Sequence, residues 1–491
     1  MVRLQKILTF CQKPSFLLGL ILVAFFLKGL FLVSAFPIFG GQDESRHYNT
    51  IQYLSEPKEK NWPIEMQTEE QRKAQNKDDL GTYRYSQEIQ NTATATDTDA
   101  LRGDIFNTIA FSDSSQGINE NKINAHIWKP YNFISPPDAV SGTVLYHRLG
   151  TLIEKAFAAK SILVRFYLMR IFSVLLGTLV ILFSYLIAKN MGFSARHSLI
   201  ITAIISFQPK FAFYYSNINY DALLILMFAL FTYAGVLALK NGPNWKNITL
   251  LIFSIFVAKE TKATGIILLV VFIFLLAYLL YKKFETRIKN HISPYSILAI
   301  TLAVVIALAL ITLSLDITNL GKITASIGNY LAKSLTLGKI ALSARTYWGT
   351  LSWTNSFFMD YIINFIWLVE FFSLIGLGFF FFGKTEKPKF LPEKKYLLFL
   401  IGMIVALQLG IRVADWQFFA PLEKLEIGAP GRYFLPNLTA HIILVFSGLG
   451  LLFARFKKET YFEKSLILST ILMLAFSLYL IFDVIIFRFY L

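Results

Sequence analysis

Runs of about twenty apolar residues recur along this chain, and no other feature of the sequence limits its fold so tightly. A helix needs roughly twenty such residues to cross the hydrocarbon core of a bilayer. Inside that core every backbone polar group must be bonded within the protein, which leaves helices as the natural spanning element. Candidate spans lie at 15–36, 163–188, 198–215, 221–239, 248–258, 264–281, 294–315, 357–382, 396–412, 433–454 and 465–487. The expected fold is an all-α polytopic membrane protein with about eleven transmembrane helices. The span 248–258 is short, and 248–281 reads equally as one long helix broken at its polar centre. Only 16% of residues are charged and 55% are hydrophobic, whereas a soluble domain carries roughly a quarter charged residues. The single cysteine, Cys11, rules out an internal disulfide and any Cys-built metal centre.

The net charge of +16 does not point to nucleic acid, because of where it sits. Residues 37–161 carry 13 Lys+Arg against 17 Asp+Glu, so the basic excess lies in the rest of the chain. With a cytoplasmic N-terminus, the inner connections hold 20 Lys+Arg and the short outer ones hold 8. The positive-inside rule then places the long first loop, 37–161, outside the cytoplasmic membrane. The domain reading is a tail and first helix (1–36), an extracytoplasmic loop (37–161) and a multi-helix domain (162–491). The first span has a rival reading as a signal peptide, with Arg3, Lys6 and Lys13 before the apolar core and Val33-Ser34-Ala35 as a poor cleavage site. The length of the run and Lys28 within it favour a true span. Within the loop, 55–125 is polar, with low complexity at 92–99. Residues 126–161 regain Trp128, Tyr131, Phe133, Pro136-Pro137 and Tyr146 and are expected to fold back onto the membrane face.

No phosphate-binding Gly-x4-Gly-Lys-Ser/Thr, dinucleotide Gly-x-Gly-x-x-Gly or zinc-binding His-Glu-x-x-His run occurs. The polar residues that remain gather at outer ends of spans. After the first span comes Gly40-Gly41-Gln42-Asp43-Glu44-Ser45-Arg46-His47. Helical spacing puts Asp43, Glu44 and His47 on one face, fit for a general base toward a hydroxyl or, with Asp221, for a divalent metal. The plainer reading is a helix N-terminus stabilised by acids. Next come Gln208-Pro209-Lys210 and Asn219-Tyr220-Asp221, where Asp221 either serves a site or caps a helix. Lys259-Glu260-Thr261-Lys262 offers cations for a phosphate, or pairs internally at a helix break. Arg432-Tyr433, in Gly431-Arg432-Tyr433-Phe434-Leu435-Pro436, can bind phosphate bidentately or anchor a helix at the interface. The remaining membrane-depth charges, Lys28, Glu370 and Asp483, are expected to be helix–helix partners.

An acidic pair after the first span, a long first outer loop and many spans together resemble the GT-C superfamily of membrane glycosyltransferases. More closely, the chain is similar to the bacterial membrane family called domain of unknown function 2142. The matching pieces are Pro37 through Asp43-Glu44-x-x-His47, Tyr167-x-x-Arg170-Ile171-x-Ser173-Val174-Leu175-x-Gly177, Gln208-Pro209, Asn219-Tyr220-Asp221, Lys259, Tyr347-Trp348-Gly349-x-x-x-Trp353 and Gly431 to Pro436. The chain departs from the pattern at Pro136-Pro137, where Ser135 stands in place of an expected His.

The resemblance implies transfer of a sugar from a polyprenyl-phosphate donor to an extracytoplasmic lipid, glycan or protein acceptor, with inversion. Asp43 would be the base, assisted by Glu44 and His47. Asn219, Asp221, Lys210, Lys259, Lys262, Arg432 and Tyr433 would bind substrate. No cofactor is demanded, and a divalent metal on Asp43, His47 and Asp221 is compatible. Membrane lipids are partners and nucleic acid is not. Two other classes fit the same sequence: a transporter or flippase of lipid-linked saccharide, and a non-catalytic membrane assembly protein.

Overall fold

A computed structural model describes residues 13–55, 88–89, 92–93, 96, 144–288, 320–351, 358–383, 388, 390–421 and 429–487. The expected span 294–315, most of the polar loop with Pro136-Pro137, and Trp353 lie outside these residues.

Among the described residues the chain is helical, and eight helices are long and apolar enough to cross a membrane. It is an all-α polytopic membrane protein. The helices are α1 Pro14–Ala35, α2 Glu44–Ser55, α3 Leu145–Ala156, α4 Ile162–Asn190, α5 Ala195–Phe207, α6 Pro209–Tyr215, α7 Asp221–Asn241 and α8 Trp245–Thr261. There follow α9 Ile267–Ile288, α10 Leu320–Ser334, α11 Leu337–Trp348, α12 Met359–Phe382, α13 Lys394–Phe419, α14 Leu438–Arg455 and α15 Glu459–Leu480. A 3₁₀ segment, Gly431–Asn437, leads into α14.

One expected span is built differently, and another breaks where its polar centre was expected to break it. The run 198–215 is not one helix. It stops at Phe207 and restarts at Pro209, because the proline lacks an amide hydrogen and excludes helical geometry from the residue before it. Gln208 is accordingly non-helical, with φ −58° and ψ 118°, and its side chain caps the new helix at the Phe211 amide. The run 248–281 breaks where its polar centre lies. Lys262 is extended (φ −155°, ψ 139°), a short 3₁₀ turn covers Ala263–Ile266, and α9 begins at Ile267. Gly265 sits directly on the Ala258 backbone, with no room for a Cβ. The result is a tight turn that presents Lys262 at the end of the bundle.

Packing follows from small residues. A Cβ on Gly376 of α12 would meet the Gly448 carbonyl of α14, so these two backbones touch. Without a hydrophobic drive between helices in lipid, such close approach is what holds neighbours together. The membrane-depth charges are met separately. Lys28 donates to the Ser206 carbonyl (2.7 Å), where α5 is about to end. Glu370 meets His441 (3.1 Å), and Asp483 accepts from Tyr479 (3.2 Å).

Candidate active site

The start of α2, the loop before α7, the α8–α9 turn and the 3₁₀ segment converge at one end of the bundle. The approach to α2 is tight. A Cβ at Gly41 would lie 2.6 Å from Asn217 Oδ1 and 2.9 Å from Glu44 Oε2, so a larger residue would push these side chains aside. Asp43 follows with φ 59°, in the left-handed region. Asp and Asn tolerate that region better than other side chains.

This backbone turn corrects the expectation that Asp43, Glu44 and His47 share a helix face. Asp43 stands before the helix, and the three side chains take three different partners. Asp43 Oδ2 accepts from Arg432 Nη2 (3.1 Å), and its side chain remains 41% exposed. Glu44 is fully buried and accepts from Arg170 Nε (2.8 Å), Arg170 Nη2 (2.7 Å), the Ile218 amide (3.0 Å) and the Gly41 amide (3.1 Å). Arg170 also donates to the carbonyls of Val33, Phe36 and Pro37. One buried ion pair thus ties α1, α2, α4 and the 216–220 loop together. His47 Nδ1 lies 3.1 Å from Nε2 of His147, and its ring stands edge-on to Tyr220 at 4.5 Å.

On the other side of the cluster, Lys262 Nζ donates to Asp221 Oδ1 (2.8 Å), and Tyr214 Oη donates to Asp221 Oδ2 (3.0 Å). Lys262 lies over the rings of Tyr220 (4.7 Å) and Tyr433 (4.6 Å), and the Arg432 guanidinium lies 5.3 Å from the Tyr433 ring. Tyr433 therefore separates two cations, each holding one carboxylate. Burial alone would lower the Lys262 pKa, but Asp221 raises it above the ordinary lysine value, so the ammonium stays charged.

The other expected residues divide. Lys210 is buried just behind the cluster, donating to Gln42 Oε1 (3.1 Å) and the Thr350 carbonyl (2.5 Å). Asn219 shapes the loop: its Nδ2 donates to the Gln42 carbonyl (3.3 Å) and its Oδ1 accepts from the Asp221 amide (2.9 Å). Lys259 does not join. Its side chain is 56% exposed and pairs with Glu260 (3.0 Å), because the α8 helix points it away from the turn that carries Lys262. Asp43, His47 and Asp221 do not gather either. Among the described residues no group of three His, Cys, Asp or Glu side chains is placed to hold a metal.

Two groups escaped the sequence reading. His147 of α3 is a hundred residues from His47, and nothing local marks it. Arg165 bonds Glu88 and Glu154, and Tyr48 donates to Glu154 (3.0 Å), which anchors α2 and α3 to α4. Burial and the nearby Arg46 hold His147 neutral, with its pKa lowered to about 3. A folded pKa below the unfolded value of ~6.5 means the unfolded state binds more protons between those values. Stability should therefore fall as pH drops below ~6.5, by about 2 kcal/mol from pH 6.5 to pH 5. Thermal melts in detergent should show this slope, and His147→Gln should lessen it, the rest coming from His47, whose pKa burial also lowers; an unchanged slope in the variant would remove His147 as the cause.

Residues 162–312 match the sequence profile of the family described as dolichyl-phosphate-mannose-protein mannosyltransferase. No curated protein and no solved structure shows a significant match to the chain. The matched stretch carries Arg170, Lys210, Asp221 and Lys262; Asp43 and Arg432 reach the same cluster from outside it.

Proposed function

We propose that this protein is a membrane glycosyltransferase of the GT-C kind that transfers a sugar from a polyprenyl-phosphate donor. The observation that carries the reading is the convergence of Asp43 and Arg432 with Asp221 and Lys262 around Tyr433. The match over 162–312 to a family named for a prenyl-phosphate sugar donor supports it. The nearer likeness to domain of unknown function 2142 rests on the short motifs alone.

The donor enters from the bilayer with its prenyl chain in lipid. Arg432 and Lys262 take its phosphate, the first with a planar fork and the second as a point charge. Asp43, the exposed carboxylate of the cluster, accepts the proton of an acceptor hydroxyl. The hydroxyl oxygen bonds to the anomeric carbon as the bond from that carbon to the phosphate oxygen breaks. The electron pair leaves with the phosphate, where the two cations meet the developing charge. Attack opposite the leaving group inverts the anomeric centre. Glu44 serves as a strut for this loop, and His47, kept neutral first by burial and then by surrounding positive groups, supports Tyr220.

By the loop-charge bias the site faces outside the cytoplasmic membrane. Cysteine accessibility at positions 100 and 460 tests that, with labelling by an external reagent expected at position 100 only.

The activity test is release of polyprenyl phosphate from a polyprenyl-phosphate hexose by the purified protein, with envelope lipids or glycans supplied as acceptor. Arg432→Ala should lower donor affinity and turnover, by roughly tenfold to a hundredfold overall for a charge-assisted contact worth ~1.5–3 kcal/mol. Arg432→Lys should recover part of that. Equal activity of the Ala variant and the parent would remove Arg432 from the phosphate site.

A further inference from the structure

The 3₁₀ segment has two working faces. Side chains three residues apart eclipse one another in this geometry. Gly431, Phe434 and Asn437 thus share one face, while Arg432, on another, turns to Asp43. The face that carries Phe434 and Asn437 borders a cavity of about 340 Å³. Tyr347 and Trp348 of α11 and Trp367 and Glu370 of α12 line it. Gln408 and Arg412 of α13, with Asn437 and His441, also line it.

The polar groups in this wall are organised. Tyr347 Oη and His441 Nδ1 are 2.9 Å apart, and His441 Nε2 lies 3.1 Å from Glu370 Oε1. Asn437 is 5% exposed. Its Nδ2 donates to the Met403 carbonyl (2.7 Å), while its Oδ1 is buried with no hydrogen-bond partner among the described residues. A buried amide oxygen left unbonded is costly, so such an acceptor is expected to meet a donor from a ligand or water. Glu370 and Arg412 balance in formal charge, so the wall favours no ion of either sign. Flat aromatic faces beside carboxylate and amide groups match the alternating C–H faces and hydroxyl edges of a sugar ring.

The cavity does not end in polar residues. A second space of about 130 Å³ shares Trp348 and Glu370 with it and runs on between apolar side chains of α12, α14 and α15, among them Ile362, Phe365, Ile442 and Leu472. Phe365 and Leu472 are 53% and 43% exposed, so this cleft reaches the lipid-facing side of the bundle. A ligand filling both spaces has a neutral, hydroxyl-rich head and an alkyl chain.

We propose that this paired cavity is a binding site for a neutral glycolipid, with the sugar head against Glu370, Gln408, Asn437 and His441 and the chain in the α12–α14–α15 cleft. The claim stands on the cavity and goes beyond the transferase reading, which concerns the Arg432 face of the 3₁₀ segment.

The test is photolabelling of the full-length protein in phosphatidylcholine nanodiscs. Diazirine-bearing alkyl glycosides with glucose, galactose or N-acetylglucosamine heads are compared with the same chain bearing phosphocholine. At least one glycoside should label peptides within 359–382 and 438–455 several-fold more than the phosphocholine probe. Gln408→Leu and Asn437→Ala should each reduce that labelling by about tenfold, the effect of one lost buried hydrogen bond. Gln408→Leu carries the test if Asn437→Ala does not fold. Asp43→Asn should label like the parent, so a failed transferase assay leaves this result standing. Equal labelling by the phosphocholine probe, no labelling by any of the three glycosides, or undiminished labelling of Gln408→Leu would overturn the proposal.

Discussion

Asp43→Asn should cut sugar transfer by about 10²- to 10⁴-fold, the usual contribution of a positioned general base, while leaving the protein folded in the membrane. Asparagine is the informative replacement for a structural reason. Asp43 holds φ 59°, and Asn accepts that conformation nearly as well as Asp. The amide also keeps an oxygen facing Arg432 Nη2, so the loop retains a hydrogen bond in place of the 3.1 Å ion pair. What the variant loses is the proton acceptor. A fall in turnover with donor affinity and melting temperature little changed would mark a chemical defect. Near-parental turnover would remove Asp43 as the base, and Glu44, buried on Arg170, is a poor substitute.

The largest stability effect should come from Arg170. Arg170→Met leaves the Glu44 carboxylate fully buried with only two backbone amides, and removes donors from three carbonyls at the end of α1. Removing one partner of a buried pair typically costs about 3–5 kcal/mol, because the other charge stays in place without compensation. The double variant Arg170→Met/Glu44→Gln should recover part of the loss. Chemical denaturation in mixed micelles, followed by tryptophan fluorescence, measures both. If the single variant unfolds at the parental midpoint, the clamp does not hold this end of the bundle.

These two residues show what the sequence discloses and what it withholds. Hydropathy located α1, α4, α7 and α12 to within about two residues and α13, α14 and α15 to within about seven, because bilayer thickness sets a length that apolar runs must meet. Lys262 and Arg432 were visible as cations at the ends of spans, where ionisable groups carry a purpose. The roles within the acidic pair were not visible. Neighbouring Asp43 and Glu44 look equivalent until the left-handed turn sends one to Arg432 and buries the other against Arg170. Nor was the loss of Lys259: three residues from Lys262, it falls on the wrong side of a helix break whose geometry Gly265 decides. The His47–His147 pair, and the Gln42 that receives Lys210, depend on contacts across a hundred residues or more, which no local pattern encodes.

In the proposed reaction one donor phosphate lies between Arg432 and Lys262 with its sugar turned toward Asp43. Electron cryomicroscopy of the protein in nanodiscs, bound to a non-cleavable polyprenyl-phosphonate hexose, tests this most directly. Phosphonate density is expected within hydrogen-bonding distance, about 3 Å, of both cations, with the anomeric carbon on the Asp43 side and the prenyl chain in lipid. Phosphonate density elsewhere, with Arg432 still on Asp43 and Lys262 still on Asp221, would contradict it.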